Sequence, residues 1–360
     1  MGAFFIMLSV VLWGMQAVVG GWLFFNFPKI GWKMPVLLLP FLLTLLLCFS
    51  IQYTRAHYGW WESVLYYFSY TWFGLVYLAF SVSAVLTVIQ WGMGLFHFSS
   101  RPWMGWLGCA VIVILWILAF WGGFSEPKIK HIQVQIPQVP QMKIAILSDS
   151  HLGMGVSKER FSRALDRLEA EKPDVLFVLG DVFEYGKEPF SYAERLAQTV
   201  EKLPLGAYGV FGNHEYYVGY DFSRSFYEKA KIRLLENEMV LLENGLQVAG
   251  VTDVRTTRVP AEDVTKLLEQ ADQRPLALLS HTPLFAEEAS SAGADLMFSG
   301  HTHNGQLFPF GFFVRLQFLR VYGLYEVGKM KFYITSGMFY WGIPLRLFAP
   351  AEIPVIEVNP

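Results

Sequence analysis

The pattern of hydrophobic and polar positions divides the chain into two halves. Over residues 1–125 apolar residues run on with few polar interruptions. A helix needs roughly 20 apolar residues to cross a hydrocarbon core. Four stretches reach that length: 3–25, 34–53, 64–100 and 104–124. The third is longer than one span needs, which leaves room for an interfacial continuation or a fifth span. Trp60, Trp61, Trp103, Trp106 and Trp121 fall near the ends of these stretches, where aromatic belts form. The first half therefore reads as a transmembrane domain of about four helices over 1–125, and the chain as an integral plasma (inner) membrane protein.

Residues 126–141 read as a linker. Pro127, Pro137 and Pro140 forbid continuation of the last helix. Positions 131–136 alternate apolar and polar, as an edge strand would. From residue 142 short apolar runs alternate with amphipathic segments. Strands are expected at 143–148, 175–179, 207–211, 275–280, 296–299, 331–335 and 353–358. Helices are expected at 157–171, 192–203, 222–231 and 261–271, the first capped by Ser157. Asn244-Gly245 is a strong turn signal and predicts a hairpin across 239–251. Strands alternating with helices imply an α/β domain over 142–360, with strands buried on both faces.

Charge sharpens this division. Before residue 126 the charged side chains are Lys29, Lys33, Arg55, Arg101 and Glu62. The remainder carries a small acidic surplus and no basic run, which argues against a nucleic-acid partner. With four spans, Arg55, Lys128 and Lys130 fall on one side, against Lys29, Lys33 and Arg101 on the other. The positive-inside count is balanced, so the side of the soluble domain stays open. Cys48 and Cys109 lie in apolar stretches and support neither a disulfide framework nor a thiolate metal site.

Five short motifs carry the chemistry. They are Asp149-Ser150-His151, Gly180-Asp181, Gly212-Asn213-His214-Glu215, Ser280-His281 and Gly300-His301-Thr302-His303. Each follows a predicted strand, and ligands of α/β sheets gather at the carboxyl ends of strands. Imidazole and carboxylate groups suit divalent transition metals. Asp149 and His151 are two apart, as are His301 and His303, so in an extended segment each pair would point the same way. The glycines before the candidate ligands permit tight backbone turns. No G-x-S-x-G elbow or G-K-[ST] P-loop occurs.

This set of motifs resembles the calcineurin-like metallophosphoesterase superfamily. The tail, from Tyr322-Gly323-Leu324-Tyr325 through Ser336-Gly337 to Ile343-Pro344-Leu345-Arg346, resembles its membrane-associated phosphohydrolase subgroup. The resemblance covers about 142–358 and implies a sandwich of two β-sheets flanked by helices. It implies two divalent metal ions: Asp149, His151 and His303 on the first, Asn213, His281 and His301 on the second, Asp181 bridging. It also implies that Asn213 and His214 contact substrate, that His214 protonates the leaving oxygen, and that Glu215 orients His214. The nucleophile would be a metal-bound hydroxide. Manganese, iron or zinc all suit such oxygen and nitrogen donors. Two positions depart from the pattern. Glu184 stands where many members carry Asp, and Asn304 stands where the membrane subgroup often carries Gly.

Two aromatic clusters, at 307–319 and at Met338-Phe339-Tyr340-Trp341, suggest an apolar lip on the bilayer. Leu345, Leu347 and Phe348 extend it. Arg315, Arg320 and Arg346 would then meet lipid phosphates. The expected function is hydrolysis of a phosphoester or pyrophosphate bond in a phospholipid or lipid-linked phosphate. The alternatives are a broad phosphodiesterase or nucleotidase merely anchored to the membrane, and a non-catalytic scaffold or sensor that keeps the metal fold.

Overall fold

A computed structural model describes residues 2–29, 33–57, 59–98, 102–137, 139, 141–184 and 190–360. Pro140 and Arg101 lie outside the described residues, as do the side chains of Lys33 and Arg55. The chain forms two compact units. One comprises Met1–Phe124 with two later segments, Leu307–Pro309 and Gly342–Leu347. The other comprises Ser125–Gln306, Phe310–Trp341 and Phe348–Pro360.

The first unit is built on α1 (Gly2–Asn26), α2 (Lys33–Ala56), α3 (Trp60–Leu95) and α4 (Trp103–Phe124). Within the described residues, three helices are long and apolar enough to cross a membrane, in α1, α3 and α4, and α2 adds a shorter apolar stretch, Leu38–Thr54. The long third stretch is one unbroken helix of 36 residues, so no fifth span forms. At 1.5 Å per residue it is about 54 Å long, against a hydrocarbon core of about 30 Å. Apolar side chains such as Val88, Ile114 and Ile117 face outward, as lipid contact requires. Polar groups inside the bundle pair with one another. Gln90 bonds Asn26 at 2.7 Å and accepts from Trp22 at 3.1 Å. The segment Gly342–Leu347 packs among these helices. Tyr66 donates to the Gly342 carbonyl at 2.6 Å, and Leu345 shares a buried cluster with Leu78 and Ala119. A Cβ on Gly123 would lie 2.3 Å from the Pro344 carbonyl, so only glycine permits this approach.

The second unit holds two six-stranded sheets. The chain runs β1 (Lys128–Gln135), β2 (Met142–Leu147), α5 (Lys158–Ala170), β3 (Val175–Val178), α6 (Phe190–Val200), β4 (Ala207–Gly209), α7 (Asn213–Val218), α8 (Tyr220–Lys229) and β5 (Ile232–Leu234). It continues through β6 (Glu238–Leu241), β7 (Gln247–Gly250), α9 (Ala261–Leu268), β8 (Leu276–Leu279), α10 (Ala286–Ser291) and β9 (Leu296–Ser299). It ends with α11 (Gly311–Gln317), β10 (Gly323–Val327), β11 (Met330–Ile334) and β12 (Glu352–Asn359). The sheet orders are β1-β12-β2-β3-β4-β5 and β10-β11-β9-β8-β7-β6.

The strand period explains the layers. In β2, Ile144 and Ile146 face a core shared with Val248, Leu279 and Phe298 of the other sheet. Ala145 and Leu147 face the opposite way, onto Phe161, Leu165 and Leu196 of α5 and α6. The outer face of the second sheet packs on Val264 and Leu268 of α9 and Ala289 of α10. The result is the two-sheet sandwich flanked by helices that the motif resemblance implies. Local signals behave as predicted. Ser157 caps α5 by accepting from the Arg160 amide at 3.2 Å, and β6 and β7 pair antiparallel around Gly245 at φ 91°. Residues 131–135 of that stretch lie within edge strand β1, which ends before Ile136 and pairs in parallel with β12. The short elements α7, β5, α10, α11 and β10 were not predicted, because each has too few residues to display a period.

Candidate metal centre

The strands β2, β3 and β4 are mutually parallel, as are β7, β8 and β9. Their carboxyl ends deliver the five motifs to one site. His151 Nε2 lies 3.0 Å from His303 Nε2, which lies 3.3 Å from Asp149 Oδ1. His281 Nε2 lies 3.2 Å from both His301 Nδ1 and Asp181 Oδ2. Asp181 Oδ2 is also 3.9 Å from His151 Nε2, between the two groups. Asp149, His151 and His303, and separately Asp181, His281 and His301, each converge closely enough to hold a metal ion.

The donor set fits a cation on two counts. Donors at the usual metal–nitrogen distance of about 2.1 Å stand about 3.0–3.4 Å from one another around the ion, the spacing of these imidazole pairs. Asn213 Oδ1 is buried and has no hydrogen-bond partner, a costly state for an amide oxygen unless an ion uses it. The tautomers agree with this. His281 Nδ1 lies 2.7 Å from the Leu179 carbonyl, so Nδ1 carries a proton and Nε2 is the atom turned toward the cluster. His151 Nδ1 likewise lies 2.8 Å from Glu184 Oε2.

The convergence of the paired residues has a different origin from the expected pleat. Asp149 and His151 have φ of 52° and 41°, and His301 and His303 have 69° and 47°. Asp181 is at 49°. Left-handed backbone is unfavourable for such residues and collects at functional sites. Close packing of the loops leaves no room for side chains between them. A Cβ on Gly300 would sit 2.1 Å from Ser148 Oγ and 2.2 Å from Asp149 Oδ2.

The electrostatics centre on Asp181. Burial opposes its ionisation, but His281, His214 and His151 outweigh burial and hold its carboxyl well below the usual range. Burial opposes charge on His281, and the adjacent Asp181 carboxylate overcomes this and lifts the imidazole to about 10. Burial and the neighbouring His281 push His301 down to about 4. Positive charge is therefore favoured beside Asp181 and disfavoured one residue farther out.

Glu215 departs from its expected task. Its oxygens accept from the backbone amides of Asp181 at 2.8 Å, Val182 at 2.7 Å and Gly212 at 2.7 Å. It ties the Gly180-Asp181 loop to the Gly212-Asn213 loop rather than gripping the His214 ring. Burial nevertheless pushes its carboxyl up to about 7. The carboxylate facing His214 Nδ1 is Glu184 Oε2, at 3.6 Å. The His214 amide donates to Asp181 Oδ1 at 2.9 Å, and its ring meets His151 edge-on at 4.7 Å. Burial pushes His214 below its ordinary value, against the pull of Asp181 and Glu184.

The aromatic clusters separate. Met338, Phe339 and Tyr340 are buried, as are Leu345 and Leu347, and only Trp341 and Phe348 remain exposed among the later positions. In α11 no residue is buried, and Phe312, Phe313 and Leu316 stand open. Arg346 is buried at 2% exposure and Arg320 pairs with Glu287 at 2.8 Å, which leaves Arg315 alone of the three exposed.

The sequence reading missed Asp253 and Arg255, which follow β7 on the same rim. Asp253 is buried and accepts from Thr282 Oγ1 at 2.5 Å, next to His281. Its position after a strand was the only available signal, because no histidine or glycine motif accompanies it.

Known proteins place the chain in a family. Residues 142–305 match the calcineurin-like phosphoesterase family. An uncharacterized metallophosphoesterase of Helicobacter pylori strain J99 is 35% identical over 67% of this chain and 67% of its own length. One from Aquifex aeolicus strain VF5 is 36% identical over 62% of this chain and 88% of its own. A Bos taurus transmembrane protein with metallophosphoesterase domain is 32% identical over 69% of this chain and 60% of its own. With its apolar helices and its cluster of Asp and His residues, the chain is a membrane protein and belongs to the calcineurin-like metallophosphoesterase family.

Proposed function

We propose that the chain is a two-metal phosphohydrolase of the plasma (inner) membrane that cleaves a phosphoester or diphosphate bond in a lipid-linked substrate. The observation that carries this reading is the convergence of imidazole nitrogens that face each other at 3.0–3.2 Å beside the Asp149 and Asp181 carboxylates. Asp149, His151 and His303 would hold one ion, Asn213, His281 and His301 a second, with Asp181 serving both. Manganese, iron and zinc suit these donors. Such ions supply Lewis acidity toward a phosphoryl group and lower the pKa of water.

The chain's own groups do the rest. Glu184 faces His214 Nδ1, so Nε2 is the atom left to protonate the leaving oxygen. Glu215 holds two ligand loops in register through backbone amides. Burial of Asp149 and His281 keeps bulk water from screening the charges that act on substrate.

The lipid assignment is supported by α11. Its large apolar side chains are exposed, and Leu316 and the following Leu319 reach 85% and 84% exposure. Its far end reaches the metal centre, where Phe318 meets the His301 ring edge-on at 5.5 Å. Exposed apolar surface of this kind fits a membrane boundary. The test compares long-chain and headgroup-only forms of one phosphorylated substrate on the purified full-length protein. The reading expects higher kcat/KM for the long chain; equal values remove the lipid claim, and the absence of turnover on any phosphate ester removes the enzymatic one.

A further inference from the structure

The loop after β7 carries a cation that the assigned chemistry does not use. Asp253 anchors this loop, accepting from Thr282 Oγ1 at 2.5 Å and from the Thr256 amide at 2.9 Å. The anchor fixes Arg255 relative to the His281 loop. The Arg255 guanidinium lies 5.6 Å over the Phe318 ring, and Phe318 in turn meets His301. With its oxygen toward Arg255, the Gln317 amide accepts from both terminal guanidinium nitrogens at 2.7 Å. One face and one edge of the guanidinium are thus held, and the residue remains exposed.

Among the described residues no carboxylate pairs with Arg255. Arg320, Arg274 and Arg195 each have one. A guanidinium with five donors, of which Gln317 takes two, keeps donors for a further acceptor. An oriented, unpaired guanidinium two ring contacts from a ligand of the site suits a phosphate oxygen pair, which it binds bidentately.

We propose that Arg255 binds a second phosphate of the substrate, next to the one that is cleaved, so that the preferred substrates carry a diphosphate or two neighbouring phosphates. This rests on the phosphohydrolase reading but not on a lipid tail. Gln317 and Phe318 act as positioning residues, and through them α11 sets the distance between the second-phosphate contact and the metals.

The experiment uses the full-length protein in detergent with two tailless substrates: para-nitrophenyl phosphate, with one phosphate, and a short-chain alkyl diphosphate, with two. In R255A the ratio of kcat/KM for the diphosphate to that for the monophosphate should fall about tenfold or more, mainly through KM, as expected for loss of a charge-assisted bidentate contact. R255K, which keeps the charge but not the fork, should fall between the wild type and R255A. An unchanged ratio overturns the proposal, whether both substrates lose activity together or neither does. Should the wild type turn over neither tailless substrate, binding replaces turnover as the readout. Calorimetric binding of inorganic diphosphate against orthophosphate then decides the role of Arg255. A selective loss of diphosphate binding in R255A supports it, and equal binding by wild type and variant refutes it.

Discussion

The Nε2 atoms of His151 and His303, from loops 152 residues apart in sequence, face each other at 3.0 Å. Two neutral imidazoles with inward lone pairs repel unless a proton or a cation lies between them. The Glu184 carboxylate beside His151 Nδ1 favours the proton on the outer nitrogen, which leaves the inner one for a cation. Metal analysis of the purified chain should find two equivalents. H303A should lose about one and D181N most of both, because Asp181 faces each group. An unchanged metal content in D181N would contradict the bridging role.

His214 sits at the edge of the cluster and contributes no atom to the two metal groups proposed above. H214A should keep its metal while kcat falls by about 10²–10⁴, the usual contribution of a positioned proton donor. The loss should shrink for a leaving group as acidic as para-nitrophenol, which departs without a proton. Stopped assays with an alkyl and a nitrophenyl ester on one variant measure this difference.

Glu215 predicts a stability effect rather than a purely kinetic one. E215A strands the buried amides of Asp181, Val182 and Gly212 without their acceptor. At about 1–3 kcal/mol for each unsatisfied group, the loss should be on the order of 3 kcal/mol or more. E215Q keeps an acceptor oxygen and should lose less. Thermal unfolding in detergent, read alongside metal content, checks the order wild type, E215Q, E215A.

Gly300 allows two loops to touch. In G300A the added methyl group would meet Ser148 Oγ and Asp149 Oδ2 at under 2.5 Å, forcing Asp149 away from His303. The expected outcome is weakened metal binding at the Asp149–His151–His303 group, with the other group retained. Metal titration followed by calorimetry distinguishes the two.

Local chemistry made much of the site legible. The apolar runs, the strand-end motifs and the Asn244-Gly245 turn each express a property of a few neighbouring residues, and the seven expected ligand positions came from the family resemblance that the motifs carry. The route by which those ligands converge could not. Left-handed backbone at Asp149, His151, His301 and His303 is imposed by packing between loops, and residue order alone predicts the extended pleat instead. The partners of Glu215 were hidden for the same reason, because backbone amides carry no residue signature.

What the sequence by itself determined was the division into an apolar helical half and an α/β half, together with the donor types of the metal cluster, since periodicity and side-chain chemistry are local. Tertiary structure alone decided the rest. It placed β12 between β1 and β2, drew Gly342–Leu347 into the helical unit, buried Met338–Tyr340 and exposed α11. It also set Arg255 against Phe318. These outcomes depend on which distant surfaces meet, and an apolar residue satisfies a core, a membrane or an open helix equally well until packing assigns it one of them.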